Sequence, residues 1–259
     1  MANLFDTPAM AAGYASSRPE LHPRIIERVR EHLGLASLLD SALDVGCGAG
    51  LSTRALELIA QHCVGVDPSA AMIKQASSVA PEAAFLVGSA EALPVPSGSI
   101  DIITAAGSLN FATMSLFYPE ALRVLRPAGI LVIYDFSEGS RFRNSASLER
   151  WYQEFLNRYP SPPDFGQQIS PETLRSCDHG FRLSGHEYFD IGLKLTPDLY
   201  LDYVMSEMNV AQALADGVPT EQIRNWCAKT LESVFQGEAH EVVFQGYIAY
   251  LDQINSLPG

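Results

Sequence analysis

Three glycines, Gly46, Gly48 and Gly50, alternate with small residues directly after the apolar run SALDV (41–45). A chain written this way must leave a strand, turn within a few residues and enter the next element. The next element has helical spacing: LSTRALELIAQ (51–61) puts Leu51, Ala55, Leu58 and Ile59 on one face. The pattern then repeats. HCVGVD (62–67) reads as a second strand, and Ser69 as the N-cap of a helix over 70–80. AAFLVGS (83–89), IDIITAA (100–106) and AGILVIYDF (128–136) read as further strands, with a helix from Tyr118 to Leu125 broken by RPAG (126–129). The run ILVIY is apolar at consecutive positions, as in a strand covered on both faces. Strands separated by helices of this length predict right-handed βαβ units. The expected fold is α/β: a doubly wound, mostly parallel, seven-stranded sheet with helices on both faces and a helical insertion before the last strand. Ligands of such sheets lie beyond the carboxyl ends of the strands. That places LDVGCGAG, VGVDPS, VGSAEALP and AAGSLNF on one rim.

The flanks add a leading helix over 19–35, an aromatic stripe Trp151, Phe155, Tyr159 at helical spacing, and late strands over 182–195 and 241–251. The stripe reads as core packing. With 259 residues and neither a repeat nor a low-complexity linker, a single domain is expected. Within it, 1–22 is a lid, 41–136 a ligand-binding core and 193–237 a helical insertion on the substrate side. The formal net charge of -13 opposes binding to nucleic acid or an anionic membrane. The four cysteines, Cys47, Cys63, Cys177 and Cys227, form no C-x-x-C pair, so no metal site is read and reduced thiols are expected. The N-terminus has no secretory pattern, and no apolar run approaches a membrane span. A cytoplasmic protein, monomeric or homodimeric, is the expectation.

The ligand of the glycine loop is narrowed by its neighbours. A dinucleotide fingerprint needs a third glycine at position 51, which is Leu, and a P-loop needs a Lys that is absent. A tight strand-to-helix turn without a ligand is the plain alternative. Asp44 just before the loop repels phosphate and attracts a cation. Asp67 ends the second strand, where an acid accepts ribose hydroxyls. A ligand with a ribose, no phosphate and a positive charge is called for, and S-adenosylmethionine has all three properties.

LDVGCGAG, VGVDPS, VGSAEALPVPSGSIDIITAAGSLNF and ALRVLRPAGILVIYDF occur in the order of the motifs of class I S-adenosylmethionine-dependent methyltransferases. Over about 42–136 the chain resembles that family, and within it the small-molecule group similar to ubiquinone and menaquinone C-methyltransferases. The lead over 11–23 is similar to the Y-x-x-x-R-P-x-x-P start of several small-molecule members. The resemblance implies that Gly46, Cys47, Gly48 and Gly50 approach the methionine part of the cofactor through their backbone. Asp44 would stabilise its amino group, and Asp67, beside Pro68, would clamp the ribose. Met72, Ser89, Ala90 and Glu91 would border the adenine, and Ala106, Gly107 and Asn110 the methionine chain. Tyr14 and Arg18 would close over the cofactor. Three positions depart from the family: Ser89 stands where an Asp is frequent, Asn110-Phe111 where the quinone enzymes have His-Trp, and Ala128 where a Gly is common. The implied activity is methyl transfer to a small organic acceptor by in-line displacement, through positioning and desolvation. A cofactor-binding protein with a regulatory role is the alternative from another class, and an RNA methyltransferase is disfavoured by charge. The candidate acid–base groups are Tyr14, His22 and Asp135, the last at the end of the fifth strand where its neighbours are apolar.

Overall fold

The computed structural model describes residues 8–161, 166–175 and 179–254, with side chains from residue 12 onward. Phe5 and Cys177 lie outside the described residues, and Met10 is described by its backbone alone. The chain divides into a larger unit, Glu20–Asp135, Gly166–Tyr188 and the chain from Tyr247, and a second unit, the chain to Pro19, Phe136–Phe165 and Phe189–Gly246. The first helix, α1 (Pro8–Ser17), belongs to the second unit.

In the larger unit, α2 (His22–His32) buries Ile25, Ile26 and Val29 and points its arginines outward. Strand β1 (Leu39–Val45) is buried from Ser41 onward, because parallel strands cover both of its edges. One is β2 (Ala60–Asp67), with Val45 opposite Val66. Helix α3 (Leu51–Leu56) links the two. It stops short of the expected 61 because Ile59 already gives its carbonyl to Leu39 N–H at 2.8 Å, and Ala60 pairs with Leu39 in the sheet. Beyond α4 (Ala70–Val79), β3 (Ala84–Val87) pairs with β2. It ends before the expected 89, where Gly88 meets Pro94 so closely that a Cβ there would lie 2.7 Å from the proline ring. The other neighbour of β1 is β4 (Ile100–Ala106), which is flanked in turn by β5 (Leu125–Phe136). Between them lie a 3-10 turn, Leu109–Phe111, and α5 (Met114–Val124). The core packs Leu43, Val45, Ile103, Phe117, Val124, Leu131 and Phe181 into one cluster.

The link from β3 to β4 contains no helix, and a single cation holds it. Arg123 of α5 donates from Nη2 and Nη1 to the carbonyls of Leu93 and Val95, both at 2.8 Å, and grips the two oxygens of Glu120 with Nε and the same Nη2, both at 2.7 Å. Glu120 in turn accepts Leu93 N–H at 2.9 Å. Ala128, in the turn that leads into the apolar part of β5, takes φ 65°, a left-handed conformation that costs an L-residue about 1–2 kcal/mol.

Three later strands complete the sheet: β6 (Arg141–Phe142), β7 (Phe181–Leu195) and β8 (His240–Gln253). In the larger unit the order is β3-β2-β1-β4-β5-β8, with β7 on β8. In the second unit β6 pairs antiparallel with β8, Arg141 opposite Val243. The described residues thus give eight strands where seven were expected, the addition being the two-residue β6. The expected helical insertion is present as α8 (Pro197–Val204), α9 (Met208–Ala215) and α10 (Thr220–Phe235). A further helix, α6 (Ser147–Arg158), carries the aromatic stripe. Its Trp151 and Phe155 stack at 5.4 Å, both are buried, and Trp151 Nε1 donates to Thr230 at 2.7 Å. The short α7 (Pro171–Leu174) opens on a reciprocal cap between Ser170 and Thr173. Among the described residues no helix is long and apolar enough to cross a membrane.

Candidate active site

Strand β1 delivers the chain into its glycine loop through a turn that only glycine fits. Gly46, Gly48 and Gly50 have φ of 70°, 49° and 87°. A Cβ on Gly46 would overlap the side chain of Ser108, whereas Gly48 faces open space. The loop is tied down from β2: Gly46 and Cys47 N–H donate to Val66 O at 2.8 and 3.1 Å. Asp67 completes the tie. One oxygen accepts Gly48 N–H at 2.9 Å and the other Ser69 N–H at 2.8 Å. Ser69 caps α4 as expected, accepting Met72 N–H at 3.2 Å, and Met72 is buried one turn in. The Ser108 hydroxyl bonds Val45 O at 2.5 Å and thereby joins the β4 end to the β1 end.

Asp44 is fully buried beneath the loop. It accepts Ser52 and Thr53 hydroxyls at 2.6 and 2.7 Å on one oxygen and the Thr104 hydroxyl at 3.3 Å on the other. Burial pushes its carboxyl up to about 6, opposed by the three hydroxyls and assisted by the charge of Asp67. The Cys47 thiol, buried beside both carboxylates, is pushed above its ordinary range. On the β3 side, burial raises Glu91 while hydrogen bonds from Thr113 N–H, at 2.7 Å, and the Ser89 side chain outweigh it and hold its carboxyl low. Ala90 is half-buried between these two, and Pro68 is exposed beyond Asp67. At the β4 end, Ala106 and Gly107 are half-buried, and Gly107 takes φ 62°. Asn110 donates to Asp135 at 3.2 Å. His22 is 9% exposed, and its Nδ1 lies 2.9 Å from the hydroxyl of the fully buried Tyr134.

Tyr14 and Arg18 lie in the second unit. Arg18 pairs with Glu207 at 3.0 Å, donates to Ser206 O at 3.3 Å and stacks over Tyr14 at 4.4 Å. Both members of the ion pair are buried, their side chains 14% and 8% exposed. The larger unit therefore brings together every proposed contact from Asp44 to Asn110, with His22 and Asp135, on or beneath one strand-end rim. Sequence reasoning missed the groups that hold the rim in place: Ser52, Thr53, Thr104 and Ser108. Thr104 carried a signal, a hydroxyl inside the apolar strand IDIITAA.

A parallel sheet in the order β3-β2-β1-β4-β5, with a glycine turn after its central strand and an acid closing the next, defines a Rossmann-like, doubly wound architecture. A solved Anaeromyxobacter dehalogenans protein assigned to the type II methyltransferases shares this fold. Its TM-score is 0.66 and its identity 22%, over 91% of this chain and 95% of that one. Solved YcgJ from Bacillus subtilis matches at TM-score 0.53 and 19% identity, over 90% and 97%. Residues 43–133, about a third of the chain, match the family described as a methyltransferase domain. In sequence, YcgJ, named an uncharacterized methyltransferase, is 37% identical over 36% of this chain and 39% of its own. The 2-methyl-6-phytyl-1,4-hydroquinone methyltransferase of Synechocystis is 35% identical over 38% and 32%, and the demethylmenaquinone methyltransferase of Beutenbergia cavernae 29% over 55% and 58%. The chain thus spans 32–58% of the length of these curated relatives.

Proposed function

We propose that this chain transfers the methyl group of S-adenosylmethionine to a small organic acceptor. The observation that carries the reading is Asp67: a carboxylate at the β2 end, each oxygen aimed by one backbone N–H, beside a glycine loop with no cation to meet a phosphate. Arg54 is the one Lys or Arg between positions 43 and 73, and it pairs with Glu20 at 3.4 Å. The residues fit the cofactor. Gly48, with open space where a Cβ would stand, leaves room for a close backbone approach, Asp67 suits a ribose diol, and the apolar Met72 suits an adenine face. Ser89, Ala90, Glu91 and Pro68 would border that base, and Ala106, Gly107 and Asn110 the amino-acid part. Asp44 acts from below by fixing the loop through Ser52 and Thr53.

Bound there, the cofactor supplies a methyl group already activated by a sulfonium. The chain's own work is to hold both reactants in line and exclude water. Calorimetric titration with S-adenosylmethionine, S-adenosylhomocysteine and NAD tests the assignment. Binding of the first two and not of NAD is expected. A preference for NAD, or no binding of either sulfur compound, overturns it.

A further inference from the structure

Four strand ends stand in the order β2, β1, β4, β5 along the rim. Asp67 closes β2 and Asp135 lies at the end of β5. Strands about 4.8 Å apart put these carboxylates on the order of 14 Å from one another, with the glycine loop and Gly107 between them. Asp135 is half-buried and built into place. Asn110 donates to one oxygen at 3.2 Å, and a Cβ on Gly107 would come within 2.8 Å of the other. Asn110 is fixed in turn. Gln167 N–H donates to its carbonyl at 2.8 Å, the Gln167 side chain bonds Leu109 O and Ala112 O at 3.3 and 2.8 Å, and Gly166 passes too close for any side chain. Next to Asn110 the ring of Phe111 is 56% exposed. From position 75 to 122, which covers the loops after β3 and β4, the chain holds no Lys or Arg. An anionic head would meet carboxylates there and no cation.

Resting on the methyltransferase reading, we propose that Asp135 receives the hydrogen-bond-donating head of the acceptor, a hydroxyl or an amine, while Phe111 meets an apolar body. Carboxylates, phosphates and diphosphates are then excluded as methyl acceptors. In the reaction the lone pair on the acceptor oxygen or nitrogen forms the new bond to the methyl carbon. The old bonding pair stays on the donor sulfur, and the proton left on the acceptor passes to Asp135 and then to water. Phe111 orients and Asp135 accepts, and the Asn110 amide keeps the carboxylate pointed.

The test uses four probes of one shape on the full chain saturated with S-adenosylhomocysteine: 4-propylphenol, phenethylamine, 4-propylanisole and 3-phenylpropionate. Binding is read by ligand-observed NMR. The phenol and the amine should bind about tenfold or more tighter than the ether and the acid, the difference expected for a hydrogen bond to a charged acceptor. Asp135→Asn and Asp135→Ala, each saturated with S-adenosylhomocysteine, should erase that preference. Equal affinity for all four probes, no binding of the phenol and amine, or a preference that survives both substitutions overturns the proposal. Failure of the unmodified chain to bind S-adenosylhomocysteine overturns the methyltransferase reading instead.

Discussion

Asp44 makes the stability of this protein depend on pH in a sense opposite to that of most carboxylates. Its carboxyl rises from an ordinary 3.8 to about 6, chiefly because the fold buries it completely. A raised native value means that the folded chain holds the proton more tightly than the unfolded one. The contribution is therefore fully present below pH about 4 and is lost as pH climbs through about 6. A shift of about 2 units at 1.36 kcal/mol each makes the loss about 3 kcal/mol by pH 7. Glu207, also raised by burial, adds to the wild-type slope in the same direction, so the comparison must be with Asp44→Asn. Urea unfolding of both proteins from pH 4 to pH 7.5 gives the difference. The substituted protein should match wild type near pH 4 and exceed it by about 3 kcal/mol at pH 7.5. Parallel pH curves would refute the reasoning. They would mean that the Ser52, Thr53 and Thr104 hydroxyls offset burial in full.

Four further outcomes follow from the geometry. Asp67→Ala should weaken S-adenosylhomocysteine binding by about 1–3 kcal/mol in calorimetry and, because it also frees Gly48 and Ser69 N–H, should lower the stability of the unliganded chain by about 1 kcal/mol. Gly46→Ala should cost about 3 kcal/mol or more, since strain adds to overlap with Ser108, but Gly48→Ala only about 1 kcal/mol; equal melting temperatures for the two would contradict the loop geometry. Glu207→Gln should destabilise the second unit by about 3 kcal/mol by stranding buried Arg18, and adding Arg18→Met should recover part of that loss in denaturant unfolding. Ala128→Gly should raise the melting temperature by relieving about 1 kcal/mol of left-handed strain, and a decrease would show that the turn is already relaxed.

The sheet and its rim were legible because two signals coincided. Period-breaking apolar runs marked β1, β2, β4 and β5, and the glycines and Asp67 sat at the ends of such runs. Element ends were less legible, because tertiary contacts set them: the Ile59 carbonyl halts α3, and Pro94 halts β3. Strand β6 is two residues long and exists through pairing with Val242 and Val243, which no local pattern announces. His22 read as an acid–base candidate at the leading helix, but its partner Tyr134, 112 positions away, is announced by no local pattern. Arg18 read as a cofactor clamp. Its partner Glu207 lies 189 residues further on, within an insertion whose folded path the sequence leaves unspecified.

The Arg123 clamp governs how the chain meets a protease. The link over 88–99 has no helix or strand of its own, contains Pro94 and Pro96, and leads directly from Ser89 and Glu91 into β4. Subtilisin needs several residues of extended, detachable backbone to cut. Here the carbonyls of Leu93 and Val95 are held by one guanidinium, Leu93 N–H by Glu120, and the N–H groups of Gly98 and Ser99 by the backbone of Arg123 and Val124. Digestion at this link therefore requires the clamp to open first, and the cutting rate reports the frequency of that opening. Arg123→Gln should turn a resistant link into the first site nicked, between 92 and 99, while the strands on either side stay intact. The Ser89–Glu91 end of the rim hangs from this same link, so the lifetime of that end is set by a cation at the far end of α5.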